Sequence, residues 1–417
     1  MTLRDPRSAP GHAPLSSEAT RRNVAFHRTA IIIAMPRSSD VVVVGAGAFG
    51  AWTAWHLHRA GHTVALVDAF GAGHSRASSG GESRIIRMGY GDRTLYSRWA
   101  LESLPQWKDL LSDAGRPDLF RETGVLWLGH DDDPHVDVTA RTLDRLRVVT
   151  ESLGPADLRS RFPALDFTGI TRGIFEPGSG VLLARRAVNV VAEQAAGRGV
   201  DFRVAAVEPP SPDWCGEALS LSDGTRLLAG FFVFACGPWL PKLFPDLLAP
   251  LLRPTRQEVF FFGTPAGDRR LAPSSLPAWI DFHAGAYGLP DIEGRGAKVG
   301  LTALGPVFDP DRGDRTPSAE GLETARRFAA LRLPGLRDAP VLEARVCQYT
   351  NTPSGDLLLD RHPDHDNVWL AGGGSGHGFK LGPAVGAYMA SRITGPAAAE
   401  ELVGLPAKRP EQDRTVL

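Results

Sequence analysis

Four consecutive valines, Val41 to Val44, follow Asp40 and run into Gly45-Ala46-Gly47-Ala48-Phe49-Gly50. A short continuous apolar run closed by glycine suits a strand buried on both faces. From Ala51 to Ala60 the period becomes helical, and Gly61 stops it. His62 to Asp68 then reads as a second strand. Together these segments predict a βαβ unit of about 30 residues.

Further along, residues 93–114 place Leu95, Trp99, Leu104 and Trp107 on one helical side. Residues 124–129 predict a strand between turns. Residues 187–198 predict a helix, with a strand following near 201–207. The apolar run 228–236 ends in Gly237-Pro238, as a buried strand does at the carboxyl edge of a sheet. Residues 256–262 and 298–304 predict strands of a less buried sheet. Another buried strand over 367–371 leads into Gly372-Gly373-Gly374 and a helix over 382–393. The βα pattern thus recurs at the beginning, middle and end, with strand-rich segments between. The expected architecture is an α/β domain interrupted by an α+β domain built on an antiparallel sheet. No internal repeat is visible.

Two segments fall outside this pattern. Residues 1–34 are rich in Arg, Pro and Ser. Thr20-Arg21-Arg22 is followed by only six apolar residues before Pro36, shorter than the roughly 7–15 a secretory signal needs. This stretch is expected to be a disordered extension, with Met35 a candidate start. The tail, residues 405–417, is polar and expected to be loose.

Composition narrows the function classes. The 417 residues include 46 Lys and Arg against 47 Asp and Glu, a net charge of −1. Such a balance makes no electrostatic case for nucleic acid or an anionic membrane. No apolar run reaches the 18 or so residues that span a bilayer. Cys215, Cys236 and Cys347 share no metal-type spacing, so no metal site is expected. Three cysteines in a chain of this length suit a reducing cytoplasm.

Gly45, Gly47 and Gly50 form G-x-G-x-x-G between a strand and a helix. Gly45 permits the tight turn, Gly47 admits a pyrophosphate, and Gly50 lets helix and strand approach. Asp68 closes the second strand about 20 residues further on, where a carboxylate accepts from a ribose 2′-hydroxyl. Free amides at the helix start complete a dinucleotide site. The motif does not separate FAD from NAD.

The segment beyond Asp68 adds a resemblance. Gly81-Glu82-Ser83-Arg84-Ile85-Ile86-Arg87, then Tyr90-Gly91, resembles the flavin-proximal loop of the monomeric sarcosine oxidase and N-methyltryptophan oxidase family. Further blocks match in order: Thr123 to Leu126, Phe175 to Val181, Ala235 to Trp239, Ala344 to Thr350, and Gly374 to Lys380. They span roughly residues 38–395. The resemblance implies a Rossmann-like FAD-binding domain over 35–118, 179–252 and 341–404, and a substrate domain over 119–178 and 253–340. Ala48, Phe49, Ser83, Gly374, Gly376, His377 and Gly378 join the expected cofactor contacts.

The resemblance also implies roles. Cys347 matches the position of a covalent thioether to FAD, with nearby Arg345 a candidate to stabilise its thiolate. Arg87 and Lys380 match the pair that grips a substrate carboxylate, Lys380 also lying at the cofactor. Arg84 matches an arginine near the flavin ring. Lys298 matches the lysine that favours reaction with oxygen. Tyr287 and Tyr349 match pocket aromatics. Two positions depart from the family: Gly80 and Thr302 stand where it carries histidines. Both are expected on the substrate side, leaving a bulkier secondary or cyclic amine carboxylate in place of sarcosine.

The activity implied is oxidation of an amino acid at its C–N bond by a monomeric enzyme, giving an imine and hydrogen peroxide. Alternatives are a flavin dehydrogenase with a non-oxygen acceptor, an NAD-dependent dehydrogenase, and a nucleotide-sensing module without catalysis.

Overall fold

The computed structural model describes residues 37–211, 213–395 and 398–408. Strand β1 (Arg37–Val44) pairs in parallel with β2 (Val64–Asp68) and with strand Arg226–Phe234. Along the sheet the order is 358–361, 368–372, 226–234, β1, β2, 201–204, with 218–220 added antiparallel on 226–234. Strand alternation gives this sheet two cores. Val41 and Val43 face one core and Val42 and Val44 the other, and all four are buried. That is why β1 reads as an unbroken valine run.

Helix α1 (Ala48–Arg59) lies on the first face with helices Ala184–Gly197 and Gly382–Thr394. The close approach of Gly382–Thr394 to α1 depends on glycine. A Cβ on Gly386 would stand 2.5 Å from the carbonyl carbon of Trp52.

The second sheet has eight strands, ordered 341–351, 253–262, 297–301, 286–289, 278–281, 125–129, 172–176 and 151–153. It is mixed rather than purely antiparallel, because 278–281 runs parallel to 125–129. Helix Ala319–Arg332 packs Ala325 and Ala329 onto one face. From strand Val125–Gly129, Leu126 and Leu128 enter that core, while Val125 and Trp127 join the core of the first sheet. A small third sheet, from 84–86, 180–182 and 120–121, carries the loop with Arg84.

Two boundaries differ from those expected. Strand Val341–Asn351 pairs along its length with Arg253–Phe262, so residue 341 opens a strand of the second sheet. The third segment of the first sheet starts later, at Leu358–Arg361. The expected loose tail is folded at its start. Leu405 N donates to Asp360 Oδ2 at 2.8 Å, and buried Lys408 donates to Leu402 O at 2.6 Å. The extension 1–34 and residues 409–417 lie outside the described residues.

One buried ion pair fixes the second sheet beside the site. Arg332 is 2 % and Asp281 0 % exposed, and both Nε and Nη2 reach Asp281 Oδ2 at 2.8 Å. Asp281 Oδ1 also takes the Ala284 amide at 3.0 Å and meets His130 Nε2 at 3.1 Å. These contacts peg the turn that carries Phe282. Replacing Arg332 by Met strands a buried carboxylate, which costs about 3–5 kcal/mol. Chemical denaturation of Arg332→Met is expected to show that loss; a loss below about 1 kcal/mol contradicts the account.

Candidate active site

A cavity of about 330 Å³ opens at the carboxyl edge of the first sheet. Gly45, Gly47, Ala48, Phe49 and Asp68 line it from one side, and Gly374, Gly376 and Gly378 from another. Gly45 has φ +101°, and a Cβ there would meet Ala235 O at 2.5 Å. Gly50 is outside the cavity wall and acts by packing: its Cβ would stand 1.7 Å from Gly45 O. The α1 start has no side-chain cap from Gly47, which leaves amides for an anion. One is already used, since Ala48 N donates to Ser79 Oγ at 3.0 Å. Asp68 accepts the Ala46 and Phe70 amides, each at 2.8 Å, so it shapes the turn while facing the cavity.

Ser78 Oγ and Thr350 Oγ1 line the same cavity, buried and without a hydrogen-bond partner. Buried polar atoms without partners are costly, and a polar ligand supplies the missing bonds. Ser375 has φ +41° in the Gly-rich turn, a strained value of the kind found at ligand sites. These features fit a dinucleotide such as FAD, which Gly45, Gly47, Ala48, Phe49, Asp68, Ser78, Thr350 and the glycines 374, 376 and 378 would hold.

Beside this cavity lies a smaller one of about 30 Å³, walled in part by Arg84, Tyr287, Lys298, Cys347 and Tyr349. Its volume suits about one small molecule. Arg84 and Tyr349 line both cavities. Arg84 Nη2 lies 3.4 Å from Cys347 Sγ. The partner of that thiol is therefore Arg84, not Arg345. Arg345 instead pairs with Glu82 at 2.8 Å and with Glu343. Lys298 is 2 % exposed and donates to Ser83 O at 2.9 Å. Burial, reinforced by Arg84, pulls its ammonium down to about 7. Ser83 thus acts through its carbonyl and does not line the large cavity.

The two tyrosines share a hydrogen bond, and burial raises both. Each lies across a glycine. A Cβ on Gly300 would meet the Tyr287 ring at 2.4 Å, and one on Gly376 would meet the Tyr349 ring at 2.7 Å.

Arg87 and Lys380 converge on Tyr90. The Arg87 guanidinium carbon is 4.3 Å from the Tyr90 ring centre, and 4.8 and 5.6 Å from Trp127 and Phe282. Its Nη1 donates to Gly89 O. Lys380 Nζ donates to Tyr90 Oη and to His377 O, both at 2.9 Å. Burial lowers both cations, Lys380 strongly, with Arg87 adding to that effect. Neither lines the large cavity, so Lys380 is not placed as a cofactor contact.

Two expected residues, His377 and Thr302, line neither cavity, whereas Gly80 lines the small one. His377 does not line the large cavity; its Nε2 lies 2.9 Å from Gly355 O, and its carbonyl accepts from Lys380 Nζ. Gly80 offers no extra substrate room, because a Cβ there would strike His74 O at 2.0 Å. Thr302 is half-buried in a turn, its amide bonded to Gly285 O at 3.0 Å, and it lines neither cavity. Tyr90, Trp127, Phe282 and Glu176 were not expected at the site, and Ser79 was not expected at the helix start.

Comparisons with known proteins bear on the family and the fold. Residues 40–392 match the family model described as FAD dependent oxidoreductase. The chain is 32% identical to the peroxisomal sarcosine oxidase of Mus musculus, over 84% of this chain and 90% of that protein. It is 31% identical to a monomeric sarcosine oxidase of Streptomyces avermitilis, over 87% and 96%. The fold is similar to an L-proline dehydrogenase from P. horikoshii, with a TM-score of 0.75 at 22% identity, over 86% of this chain and 94% of that one. The chain belongs to the FAD dependent oxidoreductase family, among its sarcosine-oxidase-like members.

Proposed function

We propose that the protein oxidises the C–N bond of an amino acid or a secondary or cyclic amine carboxylate, with FAD as cofactor and dioxygen as final acceptor. The observation that carries this reading is the convergence of two buried cations, Arg87 and Lys380, on Tyr90. The segments of the first sheet hold the cofactor, and the second sheet supplies the other wall.

When bound, FAD supplies a two-electron acceptor. Arg87 and Lys380 grip the carboxylate and fix the orientation of the amine. The hydrogen-bonded Tyr287–Tyr349 pair shapes the adjoining wall. The substrate C–N bond becomes C=N as two electrons and two protons leave, one proton from carbon and one from nitrogen. The imine is then hydrolysed by water. The electrons and two protons convert dioxygen to hydrogen peroxide. Lys298, buried beside a small cavity, stabilises in its cationic form the negative charge developing on oxygen. That placement favours dioxygen over a separate acceptor.

Cys347 is the proposed covalent attachment point, with Arg84 supporting its thiolate. No helix among the described residues is long and apolar enough to cross a membrane. A cytoplasmic monomer is the proposed working form.

Arg87→Ala is expected to raise KM by about 100-fold through loss of a charge-assisted pair, with bound flavin unchanged. A peroxide-linked assay over sarcosine, N-methyl amino acids and cyclic imino acids measures it, and an unaltered KM removes the clamp. Lys298 is cationic below its value of about 7 and neutral above it. Reoxidation by oxygen should therefore slow as pH rises through that value. Lys298→Met should lose this pH dependence and slow reoxidation on the order of 100-fold, sparing anaerobic reduction. A mutant that reoxidises like the parent refutes the role. Acid-precipitated protein should keep its yellow colour in the washed pellet, and Cys347→Ser should release it. Release from the parent as well would end the covalent assignment.

A further inference from the structure

Behind the clamp lies a carboxylate with no part in the reaction described above. Glu176 is 1 % exposed and ends strand Arg172–Glu176. Its Oε2 accepts from the Met88 amide at 2.7 Å and from Ser179 Oγ at 2.6 Å. Its Oε1 accepts from the Gly89 amide at 3.1 Å and from Trp127 Nε1 at 2.7 Å. All four partners are donors, an arrangement that suits the ionised carboxylate.

The two backbone amides matter most. They belong to Met88 and Gly89, the two residues between Arg87 and Tyr90. Gly89 O in turn accepts from Arg87 Nη1, and Tyr90 Oη accepts from Lys380 Nζ. One carboxylate thus pins the peptide that joins Arg87 to Tyr90, the residue that receives Lys380. Its Trp127 bond also fixes the ring under the guanidinium. The fit is tight: a Cβ on Gly89 would meet Thr139 at 2.5 Å, Trp127 at 2.7 Å and Glu176 Oε1 at 3.1 Å. The charge of Glu176 also favours the cationic forms of Arg87 and Lys380, against the effect of burial.

We propose that Glu176 is the positioning residue of the carboxylate clamp, holding Arg87 and Tyr90 in the register that lets Arg87 and Lys380 engage one carboxylate. The inference rests on the reading of Arg87 and Lys380 as that clamp.

Glu176→Gln makes the sharpest test, because charge and geometry predict opposite signs. At a pH where Arg87 and Lys380 are cationic in both proteins, removing an anion from beside the bound carboxylate would, through charge alone, tighten its binding. Positioning predicts the reverse. A glutamine amide can accept only through its oxygen, so two of the four buried donors lose their acceptor and the 88–89 peptide shifts. Propionate is titrated calorimetrically into the FAD-loaded parent and into Glu176→Gln. The expected result is a dissociation constant raised on the order of 10-fold. KM for the best amino acid of the panel should rise alike, with kcat within about 3-fold and flavin content unchanged. Equal or tighter propionate binding by the variant overturns the proposal and leaves the clamp standing. Absence of propionate binding by the parent removes the clamp and the proposal together. If Glu176→Gln does not fold, Ser179→Ala removes a single donor, and a few-fold weakening is expected. Unchanged binding there overturns the proposal.

Discussion

The structure depends on positive charge buried where two sheets meet. Arg87, Lys298 and Lys380 are 2–5 % exposed, and Arg84 lies half-buried beside them. Isolated ions in such surroundings are costly, and a buried charge persists only when it is matched. Here the matching is partial. Backbone carbonyls of Ser83, Gly89 and His377 take some of the donors, and aromatic faces of Tyr90, Trp127 and Phe282 surround Arg87. Glu176 answers the clamp only through space, and burial still lowers Lys298 and Lys380. An anionic ligand is what such a group lacks. That deficit favours a carboxylate at Arg87 and Lys380, and negative charge on oxygen near Lys298.

Holding uncompensated cations together requires a stiff frame, and the frame is visible around them. The Asp281–Arg332 pair fixes the turn under Phe282. Glycines at 300 and 376 let the two tyrosines lie flat on backbone. Glu82 ties Arg185 and Arg345 to the loop whose carbonyl receives Lys298. The cofactor cavity and the small cavity meet at Arg84 and Tyr349. A charge placed by the second sheet therefore reaches the edge of the first.

The sequence disclosed what is local. The β1–α1–β2 unit was legible because valine patterning and glycine spacing both follow from contacts within 30 residues or so. Gly45, Gly50 and Asp68 take up the positions that this spacing predicts. Arg84, Lys298, Tyr287, Tyr349 and Cys347, singled out one by one through the family resemblance, line one small cavity in the structure. What stayed hidden depends on contacts between distant parts of the chain. Glu176 meets Met88 across 88 residues, and no local pattern marks such a bond. Arg345 looked like the partner of Cys347 because it is two residues away, yet the thiol meets Arg84, 263 residues distant. Gly80 was expected on the substrate side and lines the small cavity, but the carbonyl of His74 occupies the direction a side chain would take there.

The most direct test of the central claim is anaerobic mixing of the FAD-loaded protein with matched amines, following loss of the flavin's visible absorbance. Each N-alkyl or cyclic amino acid is compared with the same amine lacking its carboxylate. The account predicts rapid bleaching by at least one amino acid and little or none by its decarboxylated partner. Equal bleaching by both members of a pair would contradict it, because the buried cations would then have no carboxylate to bind.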